Sequence, residues 1–467
     1  MRSPLTLESD IIAGLATPPG SSGVAVIRLS GPGLPELLLP LLRHPHGKPL
    51  SPAWFQPRLL HRLDLFDPVA DTLLDQALVV YFPAPHSFTG EPQMEIQCHG
   101  APVVVARLLA LLTAVGIRMA RPGEFSRRAY QHGKLDLTQA EALMALIHAS
   151  TLRAAREAAR QLQGSLATAV GAVREGLLDL LVQVEADLDF ADEEIDPATD
   201  TLLQHRLTAI LTRLATLTQG AALGQHWQDG LDWVIAGQPN VGKSSLYNRL
   251  VGRDKAIVTA IPGTTRDLNE HRLEWQGIPV LLVDTAGLRS TEELVEQEGI
   301  RRAQERIAQA DGVLLLYDAQ AGLAVSEQQL AQKLGSERVI LVANKGDLCP
   351  ASGPLALPND LAGYCSVVIS CLTGEGLDRL AEVMHTHFLS QPGAEEGSIL
   401  LLARQREAIL RTEVAVQEAE MLVNRGAPKE ILAMVLRSAL EAVGELAGET
   451  CHAQLLDRIF AQFCIGK

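Results

Sequence analysis

The segment Trp233-Val-Ile-Ala-Gly-Gln-Pro-Asn-Val-Gly-Lys-Ser-Ser245 decides the fold of the central part of the chain. An apolar run ends at Gly237, and the pattern G-x-x-x-x-G-K-S then extends to Ser244. This pattern predicts a strand, a phosphate-binding loop (P-loop) and a helix that begins at Lys243. In such a loop, backbone N–H groups hold the phosphates, the lysine reaches the β- and γ-phosphates, and the serine hydroxyl binds magnesium.

Strands and helices alternate around this segment, from about residue 231 to residue 388. Apolar strands are predicted at 280–283, 313–317, 339–343 and 367–369, with helices from Lys243 and near Ile300. Alternation at this spacing predicts a mostly parallel, doubly wound α/β sheet.

The motif that selects the base is predicted at Asn344-Lys345-Gly346-Asp347. The Asp347 carboxylate can accept both hydrogen bonds that the N1–H and N2–H₂ edge of guanine donates, whereas adenine offers no matching pair. GTP is therefore favoured over ATP. Ser370-Cys371-Leu372 lies where GTPases place a Ser-Ala-x loop against the base, although a plain strand end is the alternative.

Two further segments have the order expected of elements that sense the γ-phosphate. Asp284-Thr285-Ala286-Gly287 has the D-x-x-G pattern, whose aspartate holds magnesium through water. Gly263-Thr264-Thr265-Arg266-Asp267 precedes it, and Thr265 is expected to complete the magnesium shell begun by Ser244.

The residue after D-x-x-G is Leu288, which cannot orient the attacking water as glutamine does in Ras-like proteins. Another group has to take that role. Glutamates follow at positions 292, 293, 296 and 298, but their pattern does not single out one of them. A charged, solvent-facing helix start is the simpler explanation of the cluster.

The sequence shows no evident arginine that could neutralise the negative charge on the phosphates in the transition state of GTP hydrolysis. Asn240, three residues before the P-loop lysine, can ligate a monovalent cation together with carbonyl groups of the 259–264 loop. At an effective dielectric near 20, a unit charge about 4 Å from another contributes about 4 kcal/mol. An arginine finger supplies roughly 4 to 7 kcal/mol, so a potassium ion would provide most of it. The alternative is that Asn240 only forms a turn after Pro239.

Composition limits what the rest of the chain can be. Its 467 residues carry a formal net charge of −15, which argues against a protein that wraps nucleic acid with its whole surface. The six cysteines lack C-x-x-C spacing, so neither a zinc site nor a disulfide framework is predicted. Because no signal sequence or long apolar segment stands out, we expect a cytoplasmic protein that does not enter a membrane.

The segments on either side of the α/β region have different sequence patterns. Residues 5–134 combine short β-type runs with Pro and Gly turns, which predicts a compact α+β domain. Thr138 and Glu141 have capping-box spacing and open a long helical stretch. A second helical tract runs from 400 to 443 with a break at Gly426-Ala427-Pro428. We interpret the two tracts as halves of one helical domain into which the α/β domain is inserted.

Several further segments are recognisable from one end of the chain to the other: Ala16-Thr-Pro-Pro-Gly20, Val26-Ile-Arg-Leu-Ser-Gly31, Phe88-Thr-Gly-Glu91, Glu95-Ile-Gln-Cys-His-Gly100, Ala120-Arg-Pro-Gly-Glu-Phe-Ser126, Lys134-Leu-Asp-Leu137, Leu456-Asp-Arg-Ile-Phe460 and Phe463-Cys-Ile-Gly-Lys467. Together with the nucleotide motifs, they resemble the MnmE (TrmE) family of GTPases, which modify the wobble uridine of certain tRNAs.

The resemblance implies a multidomain α/β plus α fold: an α+β N-terminal domain, a helical domain and an inserted Ras-like, doubly wound P-loop GTPase domain. The implied boundaries are 1–134 for folate binding and dimerisation, 135–230 for the first part of the helical domain, 231–388 for the GTPase domain, and 389–467 for the second helical part with the Cys464-Ile-Gly-Lys467 tail.

The resemblance also implies the chemistry and its partners. Potassium-stimulated GTP hydrolysis would drive the installation of an aminomethyl or carboxymethylaminomethyl group, with 5-formyl- or 5,10-methylene-tetrahydrofolate as the one-carbon donor. The implied partners are a second copy of the chain, tRNA, and an MnmG-like flavoprotein that supplies FAD and joins the homodimer in a heterotetramer.

Motif positions carry the family's site residues onto this chain. The folate contacts are Arg28, Glu95, Lys134 and Lys467, and the potassium ligands are Asn240, Thr259, Ile261 and Thr264. The catalytic residues are Glu296 for the attacking water, Lys243 for the phosphates and Cys464 for the modification chemistry. The GTP contacts are Asn240, Val241, Gly242, Lys243, Ser244, Ser245, Thr259, Ala260, Ile261, Pro262, Gly263, Thr264, Thr265, Asp284, Thr285, Ala286, Gly287, Asn344, Lys345, Asp347, Ser370, Cys371 and Leu372.

Simpler interpretations exist for the residues outside the nucleotide motifs. Arg28 and Lys134 alone are compatible with ordinary surface charges, and Cys464 with a small apolar residue packed beside Phe460 and Phe463. A GTP-switched ribosome-assembly or RNA-binding factor would also carry the nucleotide motifs. It would not account for the N-terminal segments or for the C-terminal tail.

Overall fold

The computed structural model describes residues 10–45, 50–149, 151–189, 197–219, 231–253, 270–275, 278–284, 305–349, 357–389, 401–448, 450, 453–464 and 466. The chain forms two compact units. The first contains Met1–Met144, Leu162–Leu178 and Arg437–Lys467, and the second contains Ala145–Gln161 and Asp179–Leu436. The four domain ranges expected from the sequence stay a prediction.

Two sheets contain the named strands. The first sheet has β1 (Ile12–Leu15), β2 (Ser22–Ser30), β3 (Leu42–Arg43), β4 (His61–Asp67), β5 (Thr72–Phe82), β6 (Gln93–Gly100) and β7 (Arg118–Met119). The second has β8 (Leu231–Gly237), β9 (Glu270–Trp275), β10 (Ile278–Asp284), β11 (Gly312–Asp318), β12 (Val339–Asn344) and β13 (Cys365–Val368).

The α-helices, again in chain order, are α1 (Leu34–Leu38), α2 (Pro102–Ala114), α3 (Glu124–Gln131), α4 (Leu137–His148), α5 (Leu152–Leu162), α6 (Ser165–Asp189), α7 (Pro197–Gln219), α8 (Lys243–Arg253), α9 (Val325–Leu334), α10 (Leu377–Leu389), α11 (Ala403–Asn424), α12 (Lys429–Ala447) and α13 (Ala453–Phe460). None of these helices, over the residues described, is both long and apolar enough to span a bilayer.

The sheet of the first unit has the strand order β3-β4-β5-β6-β2-β1-β7 and is antiparallel except for the pairing of β1 with β7. Side chains alternate between its two faces along each strand. Ile27 and Leu29 on β2 and Ile96 on β6 are buried in one core, whereas Arg28 and Glu95 point to the other face. Arg28 and Glu95 are register partners, so strand pairing alone sets these two charges opposite each other.

The sheet of the second unit has the order β13-β12-β11-β8-β10-β9. Neighbouring strands are parallel except β9, which pairs antiparallel with β10 at one edge. Every residue of β12 is buried, as expected where helices cover both faces of a parallel sheet. The predicted α/β fold is therefore confirmed. Strand β9 was missed because its sequence, Glu-His-Arg-Leu-Glu-Trp, is mostly charged, which is compatible with its place at the edge.

Helix α4 begins at Leu137 and has a different cap from the one predicted. The Asp136 carboxylate accepts a hydrogen bond from the Gln139 backbone N–H at 2.8 Å, and the Gln139 side-chain oxygen accepts one from the Asp136 N–H at 3.0 Å. This pair forms the capping box, so the predicted pair of Thr138 and Glu141 was wrong. Both pairs have the same spacing in sequence, and Thr138 lies buried in the first turn.

The second helical tract is interrupted where the sequence predicted. Helix α11 ends at Asn424, Gly426 has a φ of 63°, and α12 begins at Lys429. Such a positive φ is accessible to glycine at little energetic cost and ends a helix. Within the second unit, α11 packs against α7, and the Thr208 hydroxyl donates to the Glu420 carboxylate at 2.7 Å.

A buried ion network fixes α3 in the first unit. The Arg128 guanidinium, whose side chain is 5% exposed, donates to Asp10, Glu91 and Glu124 at 2.6, 3.1 and 3.2 Å. Arg118 adds a 2.6 Å contact with Glu124. Burial alone would raise the pKa of Glu124, but the hydrogen bonds and charges of the two arginines outweigh it and hold this pKa below its ordinary value.

We predict that Arg128→Met destabilises the folded protein by about 3 to 5 kcal/mol at pH 7.5, because Glu91 and Glu124 lose their buried cation. In wild type the lowered pKa of Glu124 contributes stability above its unfolded value of 4.5, and that contribution is lost as the pH falls. The stability gap should therefore narrow only as the pH falls below 4.5, toward the lowered pKa of Glu124. Calorimetry at pH 7.5 and at a pH below 4.5 measures the gap. Arg62→Met is the control, because Arg62 is exposed and donates to the exposed side chain of Gln76. Equal losses in both variants would contradict the prediction.

Candidate functional site

The P-loop connects β8 to α8 at the carboxyl edge of the second sheet. Gly237 and Gly242 have φ values of 145° and 100°. A Cβ at Gly237 would lie 2.1 Å from the Leu316 carbonyl oxygen, and one at Gly242 would lie 2.3 Å from Asn344 Nδ2. Both positions therefore require glycine, for the backbone angle and for the close approach of neighbouring chain.

Lys243, the first residue of α8, is buried and turns back onto the loop. Its Nζ donates to the carbonyl oxygens of Gly237 and Gln238 at 3.0 and 2.7 Å. A phosphate bound by the loop would compete for this ammonium group. Asn240 adopts a φ of 64°, the left-handed region that asparagine tolerates, and is exposed beside it.

Asn344 connects the P-loop to the base loop, which we define as Ser370–Leu372. The Asn344 side chain is buried, donates from Nδ2 to the Val241 carbonyl at 2.8 Å, and accepts at Oδ1 from the Cys371 N–H at 3.0 Å. The sequence placed these residues in three separate motifs, and the parallel strands bring them together.

Asp347 is held in place by the base loop. The Ser370 hydroxyl, which is buried, donates to Asp347 Oδ1 at 2.5 Å and accepts from the Thr373 N–H at 3.1 Å. Lys345 Nζ lies 2.7 Å from Asp318, and its hydrogen bond keeps the pKa of Asp318 below the ordinary value. The carboxylate expected to read guanine is thus oriented by contacts within the protein.

Cys371, which replaces the alanine common at this position, is buried in the core of the second unit. Burial raises the pKa of its thiol to about 11. The thiol therefore stays neutral at physiological pH, and the base loop gains no charge that would repel Asp347. Cysteine therefore differs from alanine at this position in volume and not in charge.

Two contacts of this site were not predicted from the sequence. Glu327 on α9 is 5% exposed and accepts from the Gln238 N–H of the P-loop at 3.1 Å and from the Ala324 N–H at 3.0 Å. Arg249 on α8 donates to carbonyl groups of the base loop. Both contacts join residues that are distant in sequence. The one local signal is that Glu327 stands three residues after Ala324, the spacing at which a glutamate can accept a hydrogen bond from the N–H of the residue before a helix.

Part of the predicted site lies outside the described residues. This part comprises Thr259, Ala260, Ile261, Pro262, Gly263, Thr264, Thr265, Thr285, Ala286, Gly287, Glu296 and Lys467. The backbone of Asp284 ends β10, which lies next to β8 in the sheet. These assignments stay predictions.

Two of the predicted folate residues, Arg28 and Glu95, form an ion pair in the first unit. The Arg28 guanidinium contacts Glu95 at 3.0 Å, lies 5.6 Å from the centre of the Phe88 ring, and donates to the Gly466 carbonyl at 3.2 Å. Lys134 donates to the Pro85 carbonyl at 3.0 Å, in the loop that carries Phe88. Arg28 is thus a partly buried cation held by a carboxylate and a backbone carbonyl, and it differs from an ordinary surface charge.

The C-terminal tail reaches the same place through close backbone packing. Gly466 has a φ of 93°, and a Cβ there would lie 2.4 Å from the Leu15 carbonyl oxygen. Upstream, the rings of Phe460 and Phe463 pack 5.3 Å apart in the core of the first unit. Cys464 is exposed, so it does not pack beside these two rings as the apolar alternative required.

Comparison with known proteins gives consistent matches along the chain. The family model described as "MnmE helical domain" matches residues 137–464, and the one described as "GTP-binding protein TrmE N-terminus" matches residues 11–134. Proteins named "tRNA modification GTPase MnmE" are similar over almost the full length. The one from Magnetococcus marinus is 44% identical and covers 100% of both chains. The one from Methylococcus capsulatus is 43% identical and covers 98% of this chain and 99% of its own.

Among solved structures, the G domain of the T. maritima FeoB iron transporter is 28% identical and covers 34% of this chain and 98% of its own. The TM-score of this match is 0.26.

We predict that Glu327→Ala weakens GDP binding about tenfold, because the Gln238 N–H loses a charged acceptor and the P-loop is held less firmly. Glu327→Gln keeps one acceptor oxygen and should lose less. Calorimetric titration with GDP measures the affinity. Glu337→Ala serves as the control, since Glu337 is an exposed residue of a turn in the same unit. A GDP affinity equal to wild type in Glu327→Ala would show that this carboxylate supports only its own helix.

Proposed function

The chain belongs to the MnmE family of tRNA modification GTPases, and we propose that it couples potassium-stimulated GTP hydrolysis to folate-dependent modification of the tRNA wobble uridine. GTP hydrolysis, the binding of GTP and magnesium, and a role in tRNA modification follow from the family. The proposal of a folate-dependent modification rests on one observation, the contact of Arg28 with both Glu95 and the Gly466 carbonyl of the tail.

The residues of the nucleotide site are suited to GTP with magnesium. Glycine at 237 and 242 leaves space for phosphate against the backbone, and Lys243 supplies a cation at the start of a helix. Ser244, with Thr265, provides hydroxyl groups for magnesium, which neutralises charge on the transferred phosphate when it is bound. Asp347, oriented by Ser370, selects guanine.

We propose that potassium stabilises the negative charge of the transition state, a role for which the sequence shows no evident arginine. Asn240 is exposed beside the lysine of the P-loop, and its side-chain oxygen is a suitable ligand for a monovalent ion. The remaining proposed ligands are Thr259, Ile261 and Thr264. Since Leu288 cannot hold the attacking water, we assign that role to Glu296.

We predict that GTP hydrolysis is at least tenfold faster in potassium than in sodium chloride at equal ionic strength, because a fixed cation replaces part of an arginine finger. Asn240→Ala should remove most of the difference. Phosphate release at saturating GTP measures the rate. Asn248→Ala, an exposed asparagine on α8, is the control. Equal rates in the two salts would rule out the potassium site.

The second part of the proposal concerns the face of the first unit around Arg28. A paired arginine and carboxylate, with the adjacent Lys134, can bind the polar ring and the carboxylate of a folate. We propose a tetrahydrofolate in the 5-formyl or 5,10-methylene form as the donor, with Lys467 as a further contact. The exposed thiol of Cys464 lies two residues from Gly466 and is assigned to the modification chemistry.

Partners complete the proposed reaction. An MnmG-like flavoprotein supplies FAD and forms a heterotetramer with a homodimer of this chain, and tRNA is modified in the cytoplasm. A ribosome-assembly factor would need the nucleotide site alone. It would give no reason for the tail to reach Arg28.

We predict that Cys464→Ser abolishes tRNA modification and leaves potassium-stimulated GTP hydrolysis within about twofold of wild type, because the tail lies in the first unit and the P-loop in the second. The reconstituted reaction contains the flavoprotein partner, folate, GTP and tRNA, and nucleosides are analysed by mass spectrometry. Cys365→Ser is a matched control, since Cys365 is another exposed cysteine. Normal modification by Cys464→Ser would remove the thiol from the chemistry. No modification by wild type would favour the GTP-switched alternative.

A further inference from the structure

Arg249 makes a contact that the nucleotide motifs do not explain. It lies on α8, less than two turns after Lys243, and its Nε donates to the Cys371 carbonyl at 3.0 Å. Its Nη2 donates to the Leu372 carbonyl at 2.7 Å. One planar guanidinium therefore holds two consecutive peptide groups of the base loop.

The two hydrogen bonds add to restraints that other residues place on the base loop. Asn344 accepts from the Cys371 N–H, and Ser370 is fixed through Asp347. Beyond them, the Leu372 side chain is 77% exposed and gives the loop no anchor in the core. The bond from Arg249 to the Leu372 carbonyl therefore holds the end of the loop that the Leu372 side chain leaves without a core contact.

We propose that Arg249 is a positioning residue for guanine recognition, which holds the base loop on the helix that carries the phosphate-binding lysine. The proposal rests on the GTP site and is independent of the potassium, folate and tRNA parts of the proposed function. The helix that receives the phosphates and the loop that receives the base then move as one body.

The geometry favours arginine over lysine at this position. A guanidinium presents parallel N–H donors on a rigid plane, whereas an ammonium group on a flexible stem can satisfy only one carbonyl well. Both bonds are charge-assisted, but they lie near the surface, where solvent screening weakens them. An effect of about tenfold on nucleotide retention is therefore expected rather than complete loss.

The test uses full-length Arg249→Met, Arg249→Lys and the control Arg379→Ala. Arg379 is an exposed arginine of the same unit whose ion pair with Glu382 lies within its own helix. We expect Arg249→Met to raise the dissociation rate of GDP about tenfold, Arg249→Lys to lie between it and wild type, and Arg379→Ala to match wild type. The kcat at saturating GTP should stay within about twofold, while KM rises.

Hydrogen exchange of the nucleotide-free proteins provides the readout that separates positioning from general loosening. Backbone N–H groups of Ser370, Thr373 and Gly374 are bonded within the base-loop region and should exchange faster in Arg249→Met, while β11 and β12 stay protected. An unchanged GDP dissociation rate would overturn the proposal. So would faster exchange throughout the second unit, because it would indicate a role in overall stability. If wild type itself failed to retain GDP, the guanine site and not the Arg249 contact would be at fault.

Discussion

Parallel pairing of β8, β11 and β12 is the constraint on which the nucleotide site depends. The carboxyl ends of these strands carry Gly237, Asp318 and Asn344, and parallel register brings them to one edge of the sheet. No segment contains a complete site. The Asn344 side chain, which bonds both the P-loop and the base loop, converts this alignment into a rigid frame because it is buried and both of its polar atoms are satisfied.

This frame restricts which residues and which backbone conformations the P-loop can have. Glycine is required at 237 and 242 because the Leu316 carbonyl and the Asn344 amide leave no space for a Cβ. The buried Glu327 carboxylate then fixes the peptide of Gln238 from outside the loop. The first unit uses antiparallel register in a comparable way, since it sets Arg28 against Glu95, and the Gly466 carbonyl of the tail accepts a further bond from Arg28.

The sequence predicted those features that depend on local pattern. The order of motifs after an apolar strand predicted the sheet and the P-loop, and Gly426-Ala427-Pro428 predicted the break between α11 and α12. Glu327 and Arg249 escaped prediction because each acts on a backbone group far away in the chain. The cap of α4 was assigned incorrectly because two pairs of residues share one spacing. Contact of Gly466 with Arg28 joins residues separated by 438 positions, which no local pattern encodes.

The position of Lys243 indicates how such a site discriminates between ligands. Its ammonium group is buried and donates to two carbonyl oxygens of the loop, which offset part of the cost of burying the charge. A ligand has to offer Lys243 a stronger contact than these neutral carbonyl groups. The anionic oxygens of a phosphate attract the ammonium group more strongly than neutral oxygens do, so a phosphate can compete with the carbonyl groups more effectively than a neutral ligand. The buried lysine therefore favours phosphate, and the guanine contacts proposed for Asp347 would add selectivity for the base.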